Sequence, residues 1–340
     1  MVGRNAGYIT TQGEILTDYL SAAGYEVISV STATSRYRRL VDIVATVLRH
    51  GRGVDVMVLQ TYSGPSFVVQ DVASALARLF GHRVVMHLHG GGLPAFVARH
   101  PRWARRVFDR ADAFVAPSEF LADAVRAQGY PARVIPNIVD LSAYTFRPRP
   151  SVRPRLFWMR SYHPIYNPEM ALRVLARVRD HYPDATLTMA GRDKGLEPAV
   201  RAEAARLGLD GAVRFVGFLD QAGKAREGEG ADIFINTTRV DNTPVAVIEA
   251  CAMGLPVVST DVGGLRQLLD DGCTGLLVPD DDADAMAAAV VRLVRDPDLA
   301  ARLSTNGRRL AERSTWGQVH PEWERLFAEL LPRRRGGERG

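Results

Sequence analysis

The chain has 340 residues, of which 46% are hydrophobic and 24% are charged, and its formal net charge is +5. This length suits two domains, and the composition is that of a globular protein, which excludes a disordered or fibrous chain. The apolar runs are too short to span a bilayer, and the first residues lack the pattern of a signal peptide. The only cysteines are Cys251 and Cys273, so a disulfide framework is excluded and we expect a cytoplasmic protein.

Positive charge is concentrated in the first half of the chain. Residues 1–150 contain 17 arginines and 11 acids, a net +6, whereas residues 151–340 carry a net −1. Such a surface attracts anionic lipid or a phosphorylated substrate, or it is simply a solvated surface. The segment RHPRWARRVFDR (99–110) places arginines at helical spacing, which suits either a peripheral contact with an anionic membrane surface or a solvated helix face. No nucleic-acid-binding motif accompanies the charge, so no nucleic acid is expected as a partner.

Apolar runs of strand length alternate with amphipathic stretches of helical length. In the first half, strands are predicted over residues 25–30, 54–60, 83–89 and 113–117. Such alternation predicts parallel sheets covered by helices on both faces. The segment RPRPSVRPR (147–155) then interrupts the pattern with prolines among arginines. We therefore predict a first domain over 1–148 and a linker over 149–155.

The alternation restarts after this segment. Strands are predicted over 156–159, 185–191, 213–219, 231–236, 255–260 and 275–279. The second domain is predicted over 156–315, followed by a helix over 316–331 and a disordered glycine-rich tail over 332–340. The fold class is thus α/β, with two doubly wound parallel-sheet domains that face a central cleft, where ligands bind at the carboxyl ends of the strands.

The stretch DNTPVAVIEACAMGLPVV (241–258) contains a single carboxylate, Glu249, within an otherwise apolar helix. Pro244 suits the first helical position and Gly254 the C-terminal cap, so the helix is predicted over 244–253. A helix that is apolar all round is buried, and an unpaired buried carboxylate is costly, so Glu249 requires hydrogen-bond donors. These donors are either a structural partner or the ribose hydroxyls of a nucleotide whose phosphates lie at the helix N-terminus.

The same stretch, continued as STDVGG and later as DGCTGLLVPDDDADAMAAAV, closely resembles the retaining glycosyltransferases of family four, also called glycosyltransferase group 1. The family signature has two acids separated by seven residues, then a Gly-Leu-Pro-Val-Val strand and a Gly-Gly pair. The segments ADAFVAPSEFLADAV, VIPNIVDLSAY, VVMHLHGGGLPAF and GYITTQGEILTDYLSAAGYEV are similar to the family's first domain. The resemblance implies the GT-B fold and transfer of a sugar from a nucleotide diphosphate, with retention of anomeric configuration.

The resemblance also implies roles for individual residues. Glu249 would hold the donor ribose, and Asp241 would contact the donor sugar. His89 would lie beside the anomeric carbon, in the same loop as Gly90. The other implied donor-binding residues are Gly7 beside the phosphates, Arg160 after the first strand of the second domain, Phe218 beside the nucleobase, and Asn242, Thr243, Pro244 and Val245 beside sugar or phosphate.

Three features depart from the family pattern. The first acid is Asp241, where glutamate is more usual, which leaves the sugar open. The phosphate-binding lysine expected a few residues after Arg160 is missing, and SYHPIYNPEM stands there. The sequence begins inside the first glycine loop, so the first strand of the first domain is expected upstream of Val2.

Only two lysines accompany 41 arginines, and a retained lysine suits a site that needs a compact point charge. Lys194 follows the strand over 185–191, so we expect it at the cleft, binding the diphosphate with Arg160. Lys224 is expected at an exposed helix start or loop. The alternative for Lys194 is a solvated loop charge.

No metal and no cofactor are expected. The acidic run DDDAD (280–284) suits a helix N-terminal cap, and His87 and His89 lack a third ligand. The expected donor is a UDP- or GDP-linked sugar, and the expected acceptor is a carbohydrate or a lipid-linked acceptor, at the inner face of the membrane if that contact exists. The alternatives are a nucleotide-sugar epimerase or hydrolase on the same fold, and a catalytically silent nucleotide-sugar-binding subunit.

Overall fold

The computed structural model describes residues 11–33, 35–51 and 53–331. The chain divides into two compact units, which are residues 1–138 together with 316–340, and residues 139–315. The division after Ile138 precedes the linker predicted over 149–155. Within that segment the Arg149 side chain is buried, and its guanidinium donates hydrogen bonds to the carbonyls of Gly228 (3.2 Å) and Ala231 (3.0 Å). Residues 149–155 therefore pack onto the second unit.

The first unit contains a four-stranded parallel sheet of order β1-β2-β3-β4. Its strands are β1 Val56–Thr61, β2 Arg83–Leu88, β3 Ala113–Ala116 and β4 Ala132–Val134. Its helices, numbered along the chain, are α1 Gln12–Ala22, α2 Arg36–His50, α3 Phe67–Leu79, α4 Leu93–Arg99, α5 Pro101–Phe108, α6 Glu119–Arg126 and the C-terminal α14 Trp316–Leu330.

Successive residues of β2 serve two cores because side chains alternate across a strand. Val84 and Met86 pack with Phe67 and Phe108 on one face of the sheet. Val85 packs on the other face, in a cluster that α14 completes with Trp323 and other side chains. Burial on both faces explains why parallel strands appear in the sequence as continuous apolar runs.

The second unit contains a six-stranded parallel sheet of order β10-β9-β8-β5-β6-β7. Its strands are β5 Arg155–Met159, β6 Thr186–Ala190, β7 Val213–Gly217, β8 Ile233–Asn236, β9 Val257–Thr260 and β10 Leu276–Val278. Its helices are α7 Pro168–Arg179, α8 Glu197–Arg206, α9 Gln221–Gly230, α10 Val245–Ala252, α11 Leu265–Leu268, α12 Ala283–Arg295 and α13 Pro297–Glu312. Leu156 and Trp158 of β5 face one core, whereas Phe157 and Met159 face the other.

All but one of the predicted strands are confirmed. The strand predicted over 25–30 is wrong, because no regular structure forms there and Tyr25 and Ile28 are exposed. A strand requires a hydrogen-bonded neighbour, and β1 is the edge of the sheet in the part of the chain that the structure describes. The short strand β4 was not predicted. Across the described residues, none of the helices is long and apolar enough to cross a membrane.

Candidate functional site

The strand order of the second unit creates a crevice at the carboxyl ends of β5 and β8. The chain runs from β5 outward through β6 to β7, then returns to the other side of β5 with β8, β9 and β10. The loops that follow β5 and β8 therefore leave the sheet in opposite directions, which is where ligands bind in open α/β sheets. Arg160 follows β5 directly, and Asp241 lies in the loop between β8 and α10.

Arg160 and Asp241 form an ion pair, and both side chains are largely buried. The guanidinium carbon of Arg160 also lies 4.2 Å from the ring centroid of Tyr166. Burial lowers the pKa of Arg160, while Tyr166 and the charge of Glu249 counteract that shift. The lysine that the family pattern predicts after Arg160 is absent from this sequence. In that region the ring of Tyr166 packs on the Arg160 guanidinium.

Two glycines allow backbone segments to approach this pair closely. A Cβ atom at Gly191 would lie 2.6 Å from the carbonyl carbon of Arg160, and closer still to its oxygen. A Cβ atom at Gly263, whose φ is +56°, would lie 3.2 Å from the carbonyl carbon of Asp241. The loops after β6 and β9 thus hold the backbone of both charged residues, and a larger residue at either position would displace it.

Helix α10 begins beside Asp241. Asn242 and Thr243 are buried, and the Asn242 N–H donates a 2.8 Å hydrogen bond to Asp241 Oδ1. Pro244 is the extended N-cap residue (φ −67°, ψ 114°), so the helix begins at Val245, one residue later than predicted. The N-terminus of a helix carries partial positive charge and suits an anionic ligand.

Glu249 lies on α10 and is 6% exposed. Its Oε1 accepts a 2.7 Å hydrogen bond from the Tyr144 hydroxyl and a 2.8 Å charged hydrogen bond from Lys224 Nζ. Burial, and then the negative charge of Glu249, raise the pKa of Tyr144 far above its usual value, so this hydroxyl stays protonated and donates. The question of which donors satisfy the buried carboxylate is thus answered in part by protein side chains.

The expected helix start at Lys224 is confirmed, but the expectation that Lys224 is exposed is wrong. It lies in the first turn of α9 and is turned inward, with 24% of its side chain exposed, because the Glu249 carboxylate attracts it. Lys194, in contrast, is exposed in the loop after β6, where its backbone N–H donates to the Tyr162 carbonyl (3.2 Å). The sequence favoured Lys194 because its loop follows a strand, and it gave no sign that the Lys224 side chain points inward from α9. Tyr144 was missed as well, since no local pattern marks it.

Phe218 follows β7 and is 39% exposed, as a side chain available to a planar ligand would be. Gly7 lies outside the described residues. Arg160, Asp241 and the start of α10 with Glu249 therefore come together around the β5–β8 crevice, whereas Phe218 follows the edge strand β7.

His89 and Gly90 belong to the first unit, directly after β2. His89 Nε2 lies 2.6 Å from Gln60 Oε1, and the imidazole stacks on Tyr62 at 5.0 Å between ring centroids. Burial lowers the pKa of His89 to about 4, so the ring is neutral at neutral pH. Gly90 adopts a φ of +80°, which turns the chain sharply after the histidine.

Other charged groups have structural partners. Asp71 accepts a hydrogen bond from Trp103 and pairs with Arg106 and Arg110, so two arginines of the basic segment 99–110 are neutralised. Asp282 caps α12 by accepting from the Ala285 N–H (2.8 Å). Within residues 11–33, 35–51 and 53–331, no group of three His, Cys, Asp or Glu residues is placed to hold a metal ion.

Comparison with known proteins agrees with this arrangement. A family model described as "Glycosyl transferase 4-like domain" matches residues 9–138, and one described as "Glycosyl transferases group 1" matches residues 153–296. A phosphatidyl-myo-inositol mannosyltransferase of Mycolicibacterium smegmatis is 32% identical over 209 residues, which are 60% of this chain and 53% of the relative. The chain thus spans about half the length of this relative.

A D-inositol 3-phosphate glycosyltransferase of Jonesia denitrificans is 32% identical over 159 residues, which are 45% of this chain and 38% of the relative. Among solved structures, a sucrose-phosphate synthase of Thermosynechococcus elongatus superposes with a TM-score of 0.78 at 20% identity, covering 94% of this chain and 92% of that one. HepE of Anabaena in complex with UDP gives a TM-score of 0.74 at 20% identity, covering 84% and 82%. These likenesses show the GT-B fold. Because the two family models together match most of the chain, it belongs to the glycosyltransferases of group 1.

Proposed function

We propose that this protein transfers a sugar from a nucleotide diphosphate sugar to an acceptor hydroxyl, with retention of the anomeric configuration. The observation that carries the proposal is the buried carboxylate of Glu249 on α10, at the crevice that also contains the Arg160–Asp241 pair. The protein donors occupy only one oxygen of Glu249, so its other oxygen can accept from ligand hydroxyl groups. The nearby helix N-terminus and arginine suit the phosphates of the same ligand.

The proposed donor lies along α10. Its diphosphate contacts the N-terminus of the helix and Arg160, where partial and full positive charges are close together. From Val245 to Glu249 the helix rises roughly 6 Å, about the distance from a phosphate to the hydroxyls of the attached ribose. Glu249 accepts hydrogen bonds from those hydroxyls, Phe218 packs on the nucleobase, and Asp241 leaves Arg160 to contact the donor sugar.

The proposed reaction breaks the bond between the anomeric carbon and the diphosphate oxygen. The acceptor hydroxyl forms the new bond on the same face of the sugar, and its proton passes to the departing phosphate. Arg160 and the α10 dipole stabilise the negative charge that develops on that phosphate. Lys194 is proposed as a third positive group. Its exposed side chain contacts the diphosphate only when the donor is bound.

His89 is proposed to contact the sugar as a neutral group. Since its pKa is lowered to about 4, it supplies hydrogen bonds rather than positive charge at neutral pH. Gln60 fixes the orientation of the ring through Nε2. With positive charge supplied by arginine, lysine and the helix dipole, we also propose that the transfer requires neither a metal ion nor another cofactor.

The names of the relatives support two acceptor classes, which are an inositol lipid and a soluble inositol phosphate. For a lipid acceptor we propose a peripheral contact with an anionic membrane surface through the exposed Arg99 and Arg102. Sedimentation with vesicles of phosphatidylcholine and phosphatidylglycerol tests this contact. The double variant Arg99→Ala/Arg102→Ala should bind several-fold less, and equal binding of both proteins contradicts the contact.

A thermal-shift screen of UDP-, GDP- and ADP-sugars tests the donor class first. A stabilising sugar nucleotide is then incubated with inositol phosphate or with inositol lipid, and the anomeric configuration of the product is read by NMR. Formation of a retained product supports the proposal. Release of the sugar or its epimer without an acceptor favours the hydrolase or epimerase. Tight binding without any turnover favours the silent subunit, and inhibition by EDTA contradicts the metal-free reaction.

A further inference from the structure

We propose that Lys224 and Tyr144 are positioning residues that hold one oxygen of Glu249 and direct the other oxygen to the ribose. This inference rests on the proposed function, in which Glu249 binds the donor ribose. It assigns a role to Lys224, which the sequence predicts to be exposed, and to Tyr144, which lies 105 residues from Glu249 along the chain.

The two donors converge on the same atom. Tyr144 Oη lies 2.7 Å and Lys224 Nζ 2.8 Å from Glu249 Oε1, and both side chains approach from outside α10. Over the described residues, Oε2 accepts no comparable hydrogen bond. One oxygen is therefore occupied by two protein donors, which come from residues 80 positions apart in the sequence.

The first turn of α9 aims Lys224 at this carboxylate. Asp220 caps the helix by accepting from the Gly223 N–H (2.7 Å), and the Lys224 N–H donates to the Asp220 carbonyl (2.9 Å). A Cβ atom at Gly223 would lie 3.0 Å from Asp220 Oδ1 and 3.2 Å from Leu219. The glycine thus keeps the capped turn tight and fixes the point from which the lysine side chain starts.

Charge explains why a lysine stands there. A buried carboxylate is destabilised unless donors and a compensating charge are present. Tyr144 supplies a neutral donor only, because its pKa is raised and the phenol stays protonated. Lys224 supplies both a hydrogen bond and a positive charge, so it compensates the buried carboxylate and leaves Oε2 for ligand hydroxyls.

The positioning role makes a specific prediction about ribose. UDP and GDP are compared with their 2′,3′-dideoxy analogues by isothermal titration calorimetry, with whichever base binds the wild-type protein. A hydrogen bond to a charged acceptor contributes about 1.5–3 kcal/mol, so the wild type should bind the ribose form roughly 10- to 100-fold tighter than the dideoxy form. Lys224→Met should reduce this preference below about threefold while affecting the dideoxy form little.

Further variants separate positioning from other roles. Lys224→Arg should retain most of the ribose preference because a cationic donor remains, and Tyr144→Phe should give an intermediate preference. Arg226→Met removes an exposed cation from the same helix and should leave the wild-type preference unchanged. If Lys224→Met does not fold, the Tyr144→Phe result alone decides.

The possible outcomes distinguish this inference from the proposed function. If Lys224→Met weakens both forms equally, the lysine contacts phosphate or supports the fold, and the positioning role is overturned. If Tyr144→Phe retains the full wild-type preference, the shared role of the two donors is likewise overturned. If the wild type binds nucleotide with no preference for ribose, the proposed role of Glu249 fails instead. If it binds no nucleotide, the proposed function itself fails.

Discussion

Replacing Gly191 with alanine tests the packing that fixes Arg160. The added methyl carbon would lie 2.6 Å from the Arg160 carbonyl carbon, whereas such atoms normally lie about 3.5–4.0 Å apart. The methyl carbon would lie closer still to the carbonyl oxygen, so one of the two backbones must move by more than about 1 Å. Two hydrogen bonds oppose that movement, from the Gly191 N–H to the Gly217 carbonyl (2.8 Å) and from the Arg160 N–H to the Ala190 carbonyl (3.0 Å).

The cost of Gly191→Ala follows from these contacts. Overpacking costs typically about 1–3 kcal/mol, and each weakened hydrogen bond adds about 1 kcal/mol, so we expect a loss of roughly 3–5 kcal/mol. For a unit of this size, each kcal/mol lowers Tm by about 2–4 °C, and a decrease of roughly 10 °C is expected. Differential scanning calorimetry of the full chain measures it. Nucleoside diphosphate affinity should fall as well, because Arg160 is displaced.

Gly230→Ala is the matched control, since Gly230 is the last residue of α9 and a Cβ atom there meets nothing within 4 Å. Its effect on stability should stay within about 1 kcal/mol, because alanine is the better helix former. Equal melting of Gly191→Ala and Gly230→Ala would refute the claim that the loop after β6 presses on Arg160.

Glu249→Gln should lower the affinity for a nucleoside diphosphate roughly 10- to 100-fold. The free energy of unfolding should change little, because glutamine still accepts from the two protein donors. Unchanged affinity in calorimetry would show that ribose binds elsewhere. The first unit should lose roughly 3 kcal/mol of stability between pH 6.5 and pH 4, since the folded-state pKa of His89 is about 4 and the unfolded chain takes up its proton first. Urea unfolding at both pH values checks this, and His89→Gln should reduce the dependence without abolishing it, because burial also lowers the pKa of the neighbouring His87. Asp232→Ala removes a buried carboxylate from three arginines and should cost about 3–5 kcal/mol in urea unfolding, whereas the exposed Asp284→Ala should cost under about 1 kcal/mol. Lys194→Ala should lower donor affinity about tenfold, and an affinity within twofold of wild type would assign this lysine to the solvated surface.

The strands and the residues that follow them could be predicted from the sequence. Parallel strands are buried on both faces, so each is a short continuous apolar run, as in VVMHL or LFWM. Glu249 could be placed because it lies on an apolar helix whose ends are recognisable in the sequence. Arg160 and Asp241 were implied by the resemblance to the family.

Tertiary contacts decided the rest. Residues 25–30 have the composition of a strand, but a strand also needs a neighbour, which composition does not specify. The division after Ile138, and the packing of α14 on the first unit, depend on contacts between segments far apart in the sequence. The proline-rich segment 149–155 has the composition of a linker, but the Arg149 side chain is buried against the second unit.

The surroundings of Glu249 show most directly which contacts the sequence does not specify. The sequence alone determined that a lone carboxylate in an apolar helix must have donors, because the cost of burying charge does not depend on the fold. Which groups supply them depends on Tyr144 and Lys224, which lie 105 and 25 residues away along the chain. Only the folded sheet brings α9 and the segment after β4 to this carboxylate, since hydrogen bonds require proximity in space and local sequence patterns describe only proximity along the chain.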